Sequence, residues 1–311
     1  MGAILQQRLR IIAAGVSFAH ARLYNPAMRL AFSTNAFKKN TLEEAITTLA
    51  DIGYRGVEIM ADVPHAYPPH MTDVRLDAIQ GLLQRRGLEV SNVNAFTLFA
   101  LGDTYHPTWI EPDATRLEQR IEHTRQCVEL AAKLGAATVS LQPGGPLIGT
   151  DLSRDQAQQR FAQALRQVLS TAQAHDIRLA IEPEPGLLIE SAAKYLAFKQ
   201  QYFADEPLVA MNCDIGHLYC VGEDPAQVIR QMPSQIAHVH LEDIAANRVH
   251  QHLPLGKGAI DLCAVLAALR EIAYGGWITV ELYPYEASAA AVAKAAWDYL
   301  QPVPQSSPAR A

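Results

Sequence analysis

Asp214 and His217 stand three residues apart in Met211-Asn212-Cys213-Asp214-Ile215-Gly216-His217, at the end of a run apolar enough to be a buried strand. A core strand has no use for either polar group, so the pair belongs where a strand opens toward a loop. The pattern recurs at Glu182 in Leu179-Ala180-Ile181-Glu182-Pro183, at His240 in His238-Val239-His240-Leu241-Glu242-Asp243, and at Glu281 in Thr279-Val280-Glu281-Leu282. Three carboxylates and an imidazole are hard or borderline ligands, a set suited to one Mn²⁺, Mg²⁺, Co²⁺ or Zn²⁺ ion rather than to a thiolate centre. Gathered in a partly dry cavity, the three negative charges need a cation or protons. Any one of these carboxylates alone reads equally well as a helix cap or an ion-pair partner. Four in the same setting weigh toward a metal shell of Glu182, Asp214, His240 and Glu281.

Other residues are candidates at lower specificity. His217 can reach substrate or a second ion, and His250 and His252 are spaced to face one way from an extended loop, so His217 with His252 is a candidate second metal site. The bland reading makes the loop histidines solvent-facing. His238, two before His240 on the same strand face, reads as structural. Lys257, in Gly256-Lys257-Gly258, is available to substrate from a tight turn that does not match a phosphate-binding loop.

Side chains so far apart in sequence converge only if the strands carrying them lie side by side. Strand-like runs are expected over 30–34, 56–60, 88–94, 137–141, 178–181, 208–213, 236–239 and 277–280. Helical runs follow them over 42–51, 73–86, 113–133, 155–174, 191–200, after 225, and over 260–270 and 287–300. Thr41 ahead of Glu43 and Glu44 reads as a helix start, and Gly87 and Gly135 as helix stops. Eight such pairs predict an α/β fold of the (β/α)₈ TIM-barrel type, whose strand ends nearest the following helices carry the chemistry. Asn35, Glu58, Asn94 and Gln142 occupy those ends on the first four strands, as the four candidate ligands do on the last four. The doubly wound alternative needs a GxGxxG after the first strand, and none is there.

The barrel should occupy residues 30–300 as one domain, with an extra helix or extended gene start over 1–29 and a flexible tail over 301–311. Acidic residues outnumber basic ones by 32 to 26, a net charge of −6 that speaks against a nucleic-acid partner. No segment approaches the roughly 20 apolar residues of a membrane span. Four scattered cysteines without a CxxC pair point to reduced thiols and a cytoplasmic protein.

Over about residues 30–300 the chain resembles the xylose-isomerase-like TIM-barrel superfamily, in particular its sugar isomerase/epimerase branch. The resemblance rests on Glu182-Pro183, Asp214-Ile215-Gly216-His217, His240-Leu241-Glu242-Asp243, Gly256-Lys257-Gly258 through Asp261, and Glu281. It implies that Glu182, Asp214, His240 and Glu281 hold the metal, with Mn²⁺ favoured. It also implies that Glu182 and Glu281 exchange a proton on opposite faces of the substrate carbon, and that His217 and Arg248 contact substrate. The expected activity is isomerisation or epimerisation of a small polyhydroxylated carbonyl compound (a sugar, keto-sugar or cyclitol) through an ene-diolate, in a chain that could form a homo-oligomer. The same superfamily contains metal-dependent endonucleases, dehydratases and lyases, and a noncatalytic metabolite-binding barrel is a further alternative.

Overall fold

The computed structural model describes residues 28–301. The segments expected before and after the barrel lie outside these residues except at their inner edges, where Arg29 already opens the first strand. Eight strands follow one another as β1 (Arg29–Ser33), β2 (Gly56–Met60), β3 (Glu89–Asn94), β4 (Thr138–Leu141), β5 (Arg178–Ile181), β6 (Val209–Asp214), β7 (Ile236–Leu241) and β8 (Trp277–Val280). Each pairs in parallel with the next, and β8 pairs with β1, which closes the predicted barrel. Seven of the eight strands have at least four buried residues, as expected when helices cover the outside and side chains fill the inside.

The helices are α1 (Leu42–Ile52), α2 (Asp73–Arg86), α3 (Ala114–Leu134), α4 (Arg154–His175), α5 (Ala192–Tyr202), α6 (Ile215–Cys220), α7 (Pro225–Gln231), α8 (Leu262–Glu271) and α9 (Ala289–Leu300). Their ends follow local chemistry. Thr41 and Glu44 form a reciprocal capping box at the start of α1, and Gly53, Gly87 and Gly135 take left-handed conformations at the ends of α1, α2 and α3. α6 is the one α-helix absent from the sequence expectation. It starts directly at the end of β6, and Asp214 caps it by accepting the His217 N–H at 2.7 Å. Among the described residues no helix is long and apolar enough to cross a membrane.

Two register shifts interrupt the ladders, between Val57 and Glu58 and between Met211 and Asn212. Such irregularities re-aim the side chains that follow them, and here Glu58 and Asp214 follow. Both point into a polar layer at the mouth of the barrel, above a small-residue cluster of Ala180, Ala210 and Ala237 on β5, β6 and β7.

Candidate active site

The last four strands end in the four side chains picked out from the sequence. One ligand atom from each of Glu182, Asp214, His240 and Glu281 lies within 4.8 Å of the others, and all four residues are buried. His240 sits at the centre. Its Nδ1 is 3.1 Å from Glu182 Oε1, 3.7 Å from Asp214 Oδ2 and 3.6 Å from Glu281 Oε2. Asp214 divides its two oxygens between jobs: Oδ1 caps α6, while Oδ2 is buried without a hydrogen-bond partner. An orphaned carboxylate oxygen facing two other carboxylates and an imidazole fits a cation, because only a positive charge repays the desolvation of all of them.

The electrostatics agree. Burial alone would lower the His240 pKa, but Glu58, Glu281 and Glu182 hold the imidazole well above its ordinary value. Burial pushes the Glu281 carboxyl well above the carboxylate range; the His240 cation opposes this, and Glu182, Glu58 and Asp214 add to it. Protons therefore stand where a divalent ion would place charge, and ion binding would release them.

Neighbouring groups fix the orientation of each of these four side chains. On the far side of the His240 ring, Nε2 donates to Glu58 Oε2 at 2.7 Å. Glu58 is fully buried and is itself held by Ser33 Oγ at 2.7 Å and Asn92 Nδ2 at 2.9 Å. Asn212 donates to Glu182 Oε2 at 2.9 Å, and Asn35 donates to Glu281 Oε1 at 2.7 Å. Gly216 is required for space: a Cβ there would stand 2.3 Å from Glu242 Oε1, which accepts the Gly216 N–H.

Three histidines gather beside this cluster. His217, His250 and His252 also bring one ring nitrogen each within 4.8 Å of one another. The loop that carries His250 and His252 turns back over the mouth because Asp243 and Leu253 exchange backbone hydrogen bonds at 3.0 and 2.7 Å. His217 Nδ1 meets the Pro183 carbonyl at 3.0 Å and His252 Nδ1 the Glu281 carbonyl at 3.0 Å. Burial depresses the pKa of His217 to about 3 and that of His252 to about 4, so both rings are neutral and present acceptor nitrogens at neutral pH. His238 packs edge-on to His240, beneath the ligand cluster.

Above the carboxylates lies a cavity of about 280 Å³ whose lining includes Glu182, Glu184, His217, His250, Glu281 and Tyr283. The loop after β3 contributes Phe96, Leu98 and Tyr105 as its apolar and phenolic wall. Arg248 and Lys257 are not among the lining residues. The Arg248 guanidinium packs over the Tyr219 ring and donates to the Tyr219 carbonyl at 2.8 Å, and Lys257 is exposed on its turn. Two site residues carry no assignment from the sequence. Glu58 has the signal of a polar residue inside an apolar strand, but its partner is supplied by β7. Glu184 has almost no signal: it lies two residues beyond Glu182 in a loop, and its burial depends on Tyr105, whose hydroxyl donates to Glu184 Oε1 at 2.9 Å.

The family model of xylose isomerase-like TIM barrels matches residues 46–303. Inosose dehydratase of Clostridium botulinum (strain Eklund 17B / Type B) is 24% identical over 261 residues, covering 78% of this chain and 83% of the relative. L-ribulose-5-phosphate 3-epimerase UlaE of Salmonella heidelberg (strain SL476) is 24% identical over 257 residues, covering 80% and 86%. A crystal structure of a D-tagatose 3-epimerase-like protein superposes with a TM-score of 0.72 at 20% identity over 88% of this chain and 98% of that one. A zinc-bound IolI protein superposes with a TM-score of 0.71 at 18% identity over the same shares. The superpositions establish the shared fold.

Proposed function

The chain belongs to the xylose isomerase-like TIM barrel family of sugar-processing enzymes, and from that premise we propose that it is a divalent-metal-dependent isomerase or epimerase of a small polyhydroxylated carbonyl compound. The observation that carries the reading is the four-donor cluster of Glu182, Asp214, His240 and Glu281 at the floor of a cavity sized for a small molecule. These four side chains would hold the ion. Mn²⁺ is the ion we favour, from the predominance of carboxylate oxygen among the donors; the zinc in the related IolI structure keeps Zn²⁺ in view. Such an ion supplies Lewis-acid stabilisation of the negative charge that develops on the substrate carbonyl oxygen.

The chain's own residues do the rest. Glu281, pinned through Oε1 by Asn35, is the base that takes the proton from the carbon beside the carbonyl. Glu182, pinned by Asn212, stands ready to deliver a proton. Return of the proton to the opposite face of the same carbon inverts it; return to the former carbonyl carbon interchanges ketose and aldose. His217, fixed by the Pro183 carbonyl and neutral, lines the cavity through its ring and accepts a hydrogen bond from a substrate hydroxyl. Tyr283 and the loop after β3 limit water at the reacting carbon.

The dehydratase relatives support a second reading with the same first step, in which the carbanion expels a β-hydroxyl that leaves as water with the proton Glu182 would otherwise return to carbon. The test is metal analysis of the purified protein, followed by proton exchange in deuterated water over a panel of ketoses and keto-cyclitols. We expect exchange that chelation abolishes and Mn²⁺ restores, with NMR of the product separating epimer, isomer and dehydrated ketone. Absence of exchange across the panel in metal-loaded protein defeats the reading, and chelator-sensitive cleavage of an abasic duplex would replace it with phosphoester hydrolysis.

A further inference from the structure

At the foot of the barrel, opposite the candidate active site, lies a cavity of about 730 Å³. Its lining includes Ala137, Arg178, Leu208 and Gln235, which open or immediately precede β4, β5, β6 and β7. Two cations meet there. Arg178 is the first residue of β5, on the strand face that ends in Glu182 but at the opposite end of the strand, and Lys199 comes from α5. Lys199 is only 9% exposed, and its ammonium donates to two backbone carbonyls, those of Glu206 and Val209, which leaves one N–H unused. The Arg178 guanidinium makes no hydrogen bond and no ion pair among the described residues.

The protein supplies no carboxylate to answer these cations. Glu206 lines the same cavity, but its Oε1 accepts the Leu208 N–H at 3.0 Å and its Oε2 the Gln173 amide at 2.8 Å. Asp176 and Asp205 are exposed at the rim and pair with neither cation. Residues 1–27 and 302–311 contain no Asp or Glu. Burial lowers the Lys199 pKa, the neighbouring Arg178 charge lowers it further, and Glu206 offsets only part of this. One turn earlier on α5, the fully buried Tyr195 hydroxyl also has no hydrogen-bond partner. A concentration of donors and positive charge withdrawn from water calls for an acceptor of opposite charge.

We propose that this cavity binds a phosphate monoester of a small polyhydroxylated compound, at a site separate from the one at the barrel mouth. The dianionic phosphate lies between Arg178 and Lys199, matching their two charges and offering oxygens to β5 and α5 at once. A single carboxylate, planar and carrying one charge, satisfies only one of them. Asp176 and Asp205 are acceptor-only groups that cannot serve the phosphate, and they take the ester's hydroxyls at the rim.

Calorimetric titration of the full chain tests the inference, after chelation so that no metal at the mouth competes for phosphate. Glycerol 3-phosphate and inorganic phosphate are the probes, with glycerol as the neutral control. We expect the ester to bind with a dissociation constant of about 1 mM or tighter, inorganic phosphate to bind about 10-fold more weakly, and glycerol not to bind. Arg178→Gln should weaken the ester at least about 10-fold with unchanged circular dichroism, since the guanidinium holds nothing in the fold. Arg178→Lys, which keeps the charge, should recover part of that loss. Asp214→Ala, at the opposite end of the barrel, should bind the ester as the wild type does. Absence of binding by both phosphate probes, an ester no tighter than inorganic phosphate, binding of glycerol, or undiminished binding in Arg178→Gln overturns the inference. Loss of ester binding in Asp214→Ala would place the phosphate at the mouth and overturn it as well.

Discussion

At the scale of single residues, the site is a set of carboxylates whose orientations are fixed from behind. Glu58 illustrates this: it lies 2.7 Å from the nitrogen of His240 that faces away from the other three candidate ligands. A carboxylate in that position fixes the imidazole tautomer and raises its basicity, and losing it typically costs about 10- to 100-fold in metal affinity. Glu58→Gln should therefore weaken Mn²⁺ or Co²⁺ binding by about 10-fold and alter the visible spectrum of the Co²⁺ protein. The circular dichroism of the metal-free barrel should be retained. Unchanged affinity and spectrum would remove Glu58 from the support of the site. Glu182, Asp214, His240 and Glu281 were readable in sequence because each terminates an apolar run, and a lone polar group there has little else to do. The work of Glu58 and Glu184 was not readable, since it is defined by partners 182 and 79 positions away.

At the scale of elements, the strands and longer helices were legible to within a residue or two because their caps and apolar runs are strong local signals, as at Thr41 and Gly87. α6 was not, because six residues leave no periodicity to detect and its cap is also a candidate metal ligand. The loop after β3 was equally opaque, although its anchors are explicit in the fold. Asp62, fully buried after β2, accepts backbone N–H groups from Leu98 at 2.5 Å, Phe99 at 3.0 Å and Ala100 at 2.9 Å. From α3, Arg120 binds the Pro107 and Ala95 carbonyls and the Thr97 hydroxyl. Asp62→Ala strands these three amide donors and that of Val63, and should cost about 3 kcal/mol of stability, measured by denaturant unfolding. Since Leu98 and Tyr105 line the cavity, KM for the substrate should rise more than kcat falls. A variant with wild-type stability and KM would show that Asp62 does not hold this wall.

At the scale of the whole molecule, the acid limit of stability can be argued from a group remote from the ligands. His123 on α3 is buried with Nε2 against the Ala95 carbonyl at 3.2 Å. Burial, reinforced by Arg120, depresses its pKa to about 3. The unfolded chain gains a proton on this residue as pH falls through about 6.5, whereas the folded chain does not until about 3. Stability contributed by the neutral ring is complete above the unfolded value and is lost on acidification, by about 2 kcal/mol at pH 5. Denaturant melts of metal-free wild type and His123→Gln at pH 7 and pH 5 should show the variant losing that much less between the two. Equal losses would mean that His123 is accessible to protons in the folded state. The closed barrel also orders events in time. All four candidate ligands lie on its second half, and the last, Glu281, follows the strand that must zip onto β1 to complete the ring. An emerging or refolding chain can thus gather three donors while the barrel is still open, but the fourth arrives only with the slow, long-range pairing of the first and last strands. Capture of a divalent ion by all four side chains would then be a chemical signal that the circle has closed.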